Sequence, residues 1–289
     1  MDLSERIEIG MQLSLKLATA NGCPPKLAAA MRHAVFPGGA RIRPRICLAV
    51  ALACGDRDPK AATGAAAAIE LLHCASLVHD DMPCFDNAAT RRGLPSVHAE
   101  FGEEIALLVG DGLIVAAFET VARETVQAPA LTAPLIAMIG KAVGSPYGLV
   151  AGQAWESEAE INIDQYHRAK TASLFAGSVS TGALAAGGNP QDWLTLADAL
   201  GSAYQVADDL YDAIGDSGSM GKPAGQDRRN GKPNIVRSLG LEGALGHLRS
   251  LVDKAAESVP DCAGQEQFRA MIRNEAIRLM PKKLAASAA

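Results

Sequence analysis

Residues 58–83 read DPKAATGAAAAIELLHCASLVHDDMP, and the reading of this stretch decides the fold. Asp58-Pro59 is a helix start: a side-chain acceptor for free amides, then a proline at the first helical position, where its missing N–H costs nothing. From Ala61 to Val78 the apolar run is broken mainly by Glu70 and His73. Its alanines are too weakly apolar for a membrane span. A helix apolar on all sides belongs at the centre of a bundle. Pro83 ends or bends it just after Asp80 and Asp81.

Outward from this helix the same signal repeats. Apolar residues recur at spacings of three and four, and strict alternation is nearly absent. The spacing predicts helices over about 2–20, 24–35, 41–55, 59–81, 103–126, 130–144, 164–187, 191–214, 240–257 and 264–286. Hydrophobic residues make up 48% of the 289 and aromatics only 4%, with many alanine-rich runs. Alanine favours helix, whereas aromatic and β-branched residues favour strands. The fold class is therefore all-α. No linker-like composition divides the chain, so one domain over 1–289 is expected. Breaker-rich loops are few, and the longest, 215–234, is of a length that usually carries function.

A formal charge of −5 excludes a general nucleic-acid binder. Six cysteines without a C-x-x-C pair read as reduced residues, several of them in apolar helices. The start, MDLSERIEIGMQ, is charged and amphipathic, unlike a secretion signal. A cytoplasmic protein with no transmembrane segment is expected.

The chemistry lies in two acid clusters. LVHDDMPCFDNAATRRG (77–93) carries Asp80, Asp81 and Asp86, then Arg91 and Arg92; QVADDLYDAIGD (205–216) carries Asp208, Asp209 and Asp212. Asp208 and Asp212 are four apart and share a helix face. One such cluster alone reads as a solvated face. Two, each ending an apolar helix and each followed by basic residues, do not. Neighbouring carboxylates repel unless a proton or cation intervenes. An all-oxygen set selects a hard cation, and Mg²⁺ is commonly held by carboxylates plus substrate phosphates. Arg43, Arg91, Arg92, Lys170, Lys222 and Lys232 lie near breakers or helix ends, as phosphate-gripping groups would.

These residues resemble the trans-isoprenyl diphosphate synthases, the polyprenyl synthetases, over nearly the whole chain. The resemblance is carried in order by GGARIRP (38–44), ELLHCASLVHDDMPCFDNAATRRG (70–93), GQAWE (152–156), KT (170–171), QVADDLYD (205–212) and GKPAGQD (221–227). The wording is closest to bacterial carotenoid-type geranylgeranyl diphosphate synthases. The resemblance implies a helical bundle around a deep cavity, usually a homodimer. It implies condensation of isopentenyl diphosphate with dimethylallyl, geranyl or farnesyl diphosphate. Carried over residue by residue, Asp80, Asp86 and Asp208 are expected Mg²⁺ ligands, with Asp81, Asp209 and Asp212 in the same motifs; a cluster of roughly three ions is implied. Arg91, Lys170 and Lys222 are expected on the allylic diphosphate. Arg43, His73 and Arg92 are expected on isopentenyl diphosphate. Thr171 and Gln205 should line the allylic site, and Lys232 lies in a loop expected to close over it. Asp111 and Glu156 carry no assigned role.

The chain departs from the family pattern at Ala40, where lysine is frequent, at Ala88 and Ala89, where acids are usual, and at Glu156, where aspartate is common. Small Ala75 and Ser76, one turn before Asp80, leave room for a C20 product. The floor then falls to Leu71, Leu72, Ile114 or Phe118. A farnesyl (C15) synthase is the alternative. A terpene cyclase is disfavoured by the intact second cluster, and a non-catalytic regulatory subunit by both clusters.

Overall fold

The computed structural model describes residues 2–214 and 234–278. Loop 215–234 as far as 233, with Lys222 and Lys232, lies outside them, as do the side chain of Asp212 and the end of the last predicted helix.

The helices, in chain order, are α1 (Leu3–Ala18), α2 (Pro25–Val35), α3 (Ile42–Ala53), α4 (Pro59–Asp80), α5 (Val97–Phe101), α6 (Glu103–Glu124), α7 (Pro129–Val143), α8 (Leu149–Ala154), α9 (Ile163–His167), α10 (Ser173–Ala185), α11 (Leu194–Ile214), α12 (Ile235–Glu257) and α13 (Gln265–Arg278). The all-α expectation holds. Among the described residues the strands are one two-stranded antiparallel hairpin, β1 (Thr90–Arg91) and β2 (Leu94–Pro95).

α4 is the central helix. The Ala61 amide donates to Asp58 Oδ1 at 2.9 Å, which is the expected cap, and Pro59 opens the first turn. α4 packs against α1, α2, α3, α6, α7 and α10. Ile69, Leu71 and Leu72 are almost wholly buried, each contributing about 1.5–3 kcal/mol of hydrophobic stabilisation. A second core forms around α11 and α12. α3 and α10 stand between the two cores: Cys47, Leu48 and Leu174 face the first, and Ile46, Val50, Phe175 and Val179 the second. Burial on both faces explains why α3 and α10 lack a distinct polar face.

Some expectations change. The predicted helix 164–187 is broken by a π-helical turn at Arg168–Ala172 between α9 and α10. α5, α8 and the hairpin are too short for periodicity to reveal. α12 begins at Ile235, not 240; Gly240 sits at the kink with φ 69°, which is where the sequence spacing restarts. Cys47 and Cys74 are buried as expected, but Cys84 is exposed.

Candidate active site

The C-terminal end of α4 carries Asp80 and Asp81, which are 4% and 3% exposed. A helix C-terminus is its negative pole, so buried carboxylates there need positive partners. The chain supplies them. Arg91 grips Asp81 with its Nε, 3.0 Å from Oδ2, and with its Nη2 on Oδ1. Gln153 Nε2 donates to Asp80 Oδ1 at 2.9 Å, and Lys170 Nζ lies 3.7 Å from Asp80 Oδ2. After Pro83 the chain folds straight back. The Asp86 amide donates to the Asp80 carbonyl at 2.9 Å and the Ala88 amide to the Asp81 carbonyl at 3.1 Å. The bend thus returns Asp86 to the α4 terminus.

The hairpin places the two arginines. Its turn is Arg92-Gly93, with φ 53° and 79°, the sense of rotation that matches strand twist in a two-residue turn. Register pairs Arg91 with Leu94 and Thr90 with Pro95. Arg91 reaches Asp81, while Arg92 Nη1 donates to the Gly38 carbonyl. A Cβ at Gly39 would stand 2.8 Å from the Arg92 guanidinium carbon, so the double glycine makes space for that arginine. Arg91 and Arg92 also line a pocket with His33, Cys74, Asp81 and Ser96.

Arg43 Nη1 is 3.3 Å from His73 Nε2, and its guanidinium lies over Phe175 and Tyr204. Burial first, then Arg43 and the nearby Arg92, Arg91 and Arg41, push the His73 pKa well below its usual value. His73 is neutral at pH 7, so it can contact a diphosphate by a hydrogen bond without adding charge.

On the other wall, Lys170 and Thr171 sit in the π-helical turn. Such turns redirect side chains and recur at functional sites. Lys170 Nζ is 2.8 Å from Glu156 Oε2, and Tyr166 Oη donates to Glu156 Oε1 at 2.6 Å. A Cβ at Gly152 would come within 2.4 Å of the Lys170 backbone, so glycine there lets α8 touch the π turn. Thr171 Oγ1 donates to Gln205 Oε1 and Gln205 Nε2 to Asp209 Oδ1, each at 3.1 Å. Asp209 Oδ2 accepts the Ile235 amide at 2.8 Å, which ties α11 to the start of α12. Each oxygen of that carboxylate accepts one hydrogen bond here. Asp208 is exposed on the same helix.

Sequence reasoning left Glu156 without a role and passed over Gln153 and Tyr166. All three touch the site, and the GQAWE motif is the signal that held two of them. Asp111 is exposed on α6, away from these contacts. Among the described residues no three His, Cys, Asp or Glu side chains are grouped closely enough to hold a metal by themselves. The donor set still fits a hard cation. It is all carboxylate, and the groups now held by Lys170 and Arg91 are those a cation with a diphosphate would join.

The central helix of the bundle ends in buried acids, faced by arginines from loops and by Lys170 from a π turn, an arrangement suited to a diphosphate. The polyprenyl synthetase family model matches residues 24–268. The chain is 46% identical over 286 residues to geranylgeranyl diphosphate synthase of Cereibacter sphaeroides, covering 99% of each. It is similar to an FPP/GFPP synthase structure from Zymomonas mobilis, with TM-score 0.77, 32% identity, and 95% and 98% of the two chains covered. It is also similar to a geranyltransferase from Helicobacter pylori complexed with magnesium and isoprenyl diphosphate, with TM-score 0.77, 27% identity, and 96% and 98% covered. The chain belongs to the polyprenyl synthetase family, and it is a prenyltransferase.

Proposed function

We propose that this enzyme condenses isopentenyl diphosphate with dimethylallyl, geranyl and farnesyl diphosphates to give mainly geranylgeranyl diphosphate. The observation that carries this reading is the placing of Lys170 between Asp80 and Glu156, opposite Arg91 on Asp81. Three acids and two cations converge where a diphosphate leaving group has to be held. Identity of 46% to a geranylgeranyl diphosphate synthase supports the product.

Asp80, Asp86 and Asp208, with Asp81 and Asp212 beside them, would hold a cluster of roughly three Mg²⁺ ions around the allylic diphosphate. Magnesium in that position stabilises the negative charge that develops on the departing diphosphate. Arg91, Lys170 and Lys222 bind the same diphosphate. Asp209, in the same motif as Asp208 and Asp212, also bonds Gln205 and the Ile235 amide at the start of α12. Arg43, His73 and Arg92 orient isopentenyl diphosphate. As the allylic C–O bond breaks, Thr171 and Gln205 line the site of the cation, and the double bond of isopentenyl diphosphate attacks it. A proton is then lost to the released diphosphate, so no protein base is required. Lys232, outside the described residues, would help to keep water from the cation.

Ala75 is 1% and Ser76 8% exposed, one turn before Asp80. The Ser76 hydroxyl is turned back onto the His73 carbonyl at 2.8 Å. Neither side chain is bulky enough to stop a growing chain, which favours C20 over C15. Leu71 or Leu72, or Phe118 and Ile114 from α6, would then form the floor of the path.

A single catalytic domain assembles as a homodimer in this reading. α6 packs one face on α4 and leaves Leu107, Leu108 and Val115 about half exposed at helical spacing. That stripe suits a second copy. Among the described residues the two helices apolar and long enough to cross a bilayer are α4 and α6. The bundle core accounts for the first and the dimer face for the second, in keeping with a cytoplasmic location.

The test is turnover of purified protein with Mg²⁺, isopentenyl diphosphate and each of the C5, C10 and C15 starters, with products sized by mass spectrometry. The expected product is C20 from every starter. A C15 product alone would keep the chemistry and move the floor of the cavity. No product from any starter would return the chain to a regulatory role.

A further inference from the structure

Glu70 is a carboxylate without a place in the chemistry above. It lies on α4, 2% exposed, between Ile69 and Leu71. Its partner is Arg41, whose Nη1 is 2.8 Å from Glu70 Oε1. The same guanidinium donates through Nε to Glu8 Oε1 at 3.0 Å and through Nη2 to the Val35 carbonyl at 2.8 Å. Arg41 is itself buried and has a left-handed backbone, with φ 48°. One strained residue is thus tied to α1, to the end of α2 and to α4. Burying an ion pair seldom adds net stability, since desolvation offsets the attraction. Strain of this kind persists where surrounding contacts enforce it, commonly beside functional sites.

The position of Arg41 indicates what the pair holds. Before it lie Gly38 and Gly39, with φ 89° and 146°, against which Arg92 is fitted. After it comes Arg43, 3.3 Å from His73. Glu70 and His73 are one turn apart on α4, so Arg41–Glu70 and Arg43–His73 form two successive rungs between the start of α3 and α4. Arg43 Nε is buried with no hydrogen-bond partner among the described residues, an arginine held ready for an acceptor. A double-glycine loop has no stiffness of its own. Ala40 gives it no side-chain anchor, so the Arg41 rung sets its shape together with the Arg92 bond to the Gly38 carbonyl.

We infer that Glu70, acting through Arg41, is a positioning residue for the isopentenyl diphosphate subsite: it fixes loop 38–43 so that Arg43 and Arg92 converge on one diphosphate. This rests on the substrate assignment proposed above. The Glu70 carboxylate also neutralises Arg41, leaving the charges of Arg43 and Arg92 for the ligand.

Direct titration of isopentenyl diphosphate in Mg²⁺-free buffer, with farnesyl diphosphate titrated beside it as the control for Arg91 and Lys170, reads this subsite, because its groups are cationic and need no metal. E70Q is expected to weaken that binding about 10-fold, as loss of alignment does. In turnover it should raise KM for isopentenyl diphosphate by a similar factor, with KM for farnesyl diphosphate and product length unchanged. R41K keeps the charge but loses the three-way fork, and should act in the same direction. Should E70Q fail to fold, E8Q carries the test, since Glu8 is 40% exposed and holds the same guanidinium; a smaller rise in the same KM is expected. Equal binding by wild type and the variants, or an equal rise in both KM values, would overturn the inference alone. Wild-type protein that does not bind isopentenyl diphosphate would overturn the substrate assignment, and the inference with it.

Discussion

Ala75 is a residue whose importance is its size. It sits five positions before Asp80 on a helix that rises about 5.4 Å per turn, close to one isoprene unit. A75F puts a ring in the path of the growing chain. We expect the main product to shorten from C20 to C15 with turnover largely kept, as read by mass spectrometry of the products. Overpacking costs about 1–3 kcal/mol, so a melting curve should accompany the assay. C20 from A75F would place the path of the chain elsewhere. At the same scale, the acids and arginines of both motifs were legible as residue types. Their individual duties were not. Asp208 and Asp209 are adjacent and chemically identical, yet one is exposed and the other caps α12. Which neighbour a carboxylate meets is a three-dimensional fact.

At the scale of elements, the site depends on three short pieces that interrupt or end long helices: the turn after Pro83, the Arg92-Gly93 hairpin and the π turn at Arg168–Ala172. α8 lies against the π turn at Gly152, where an added Cβ would meet the Lys170 backbone at 2.4 Å. Backbone cannot swing aside as a side-chain tip can. G152A should lower stability by about 1–3 kcal/mol and turnover by about 10-fold or more, because Lys170 leaves its place beside Asp80 and Glu156. Thermal melts and steady-state rates check both. An unchanged rate would show that Lys170 is not held by this contact. The long helices were legible from spacing because each spans several turns, enough for the period to register. α5, α8 and the hairpin have too few residues for any period, and the π turn is a single turn of RAKTA, too short to shift the period of the helix it interrupts.

For the whole molecule, the open question is what covers α6. Leu107, Leu108 and Val115 form an exposed apolar stripe, with Glu104, Asp111 and Glu119 between or beside them. With a chain mass of 30.0 kDa, light scattering on the wild type should give about twice that value. The double substitution Leu107→Glu and Leu108→Glu puts like charges opposite each other across a two-fold interface and should give monomer. A wild type that is itself monomeric would remove the dimer from the proposal and leave the stripe without an occupant.

By itself the sequence determined the fold class, the central helix and the two acid clusters with their basic complement. These follow from local properties: the alanine-rich apolar run, the Asp58-Pro59 cap and the order of motifs along one chain. Tertiary structure decided which charges meet. Lys170 reaches both Asp80 and Glu156 only because a π turn and Gly152 bring α8 beside it. Arg41 finds Glu70 only because α3 enters beside α4 with a left-handed first residue. Such pairings join residues far apart in the chain, and spacing along the sequence carries no measure of that distance.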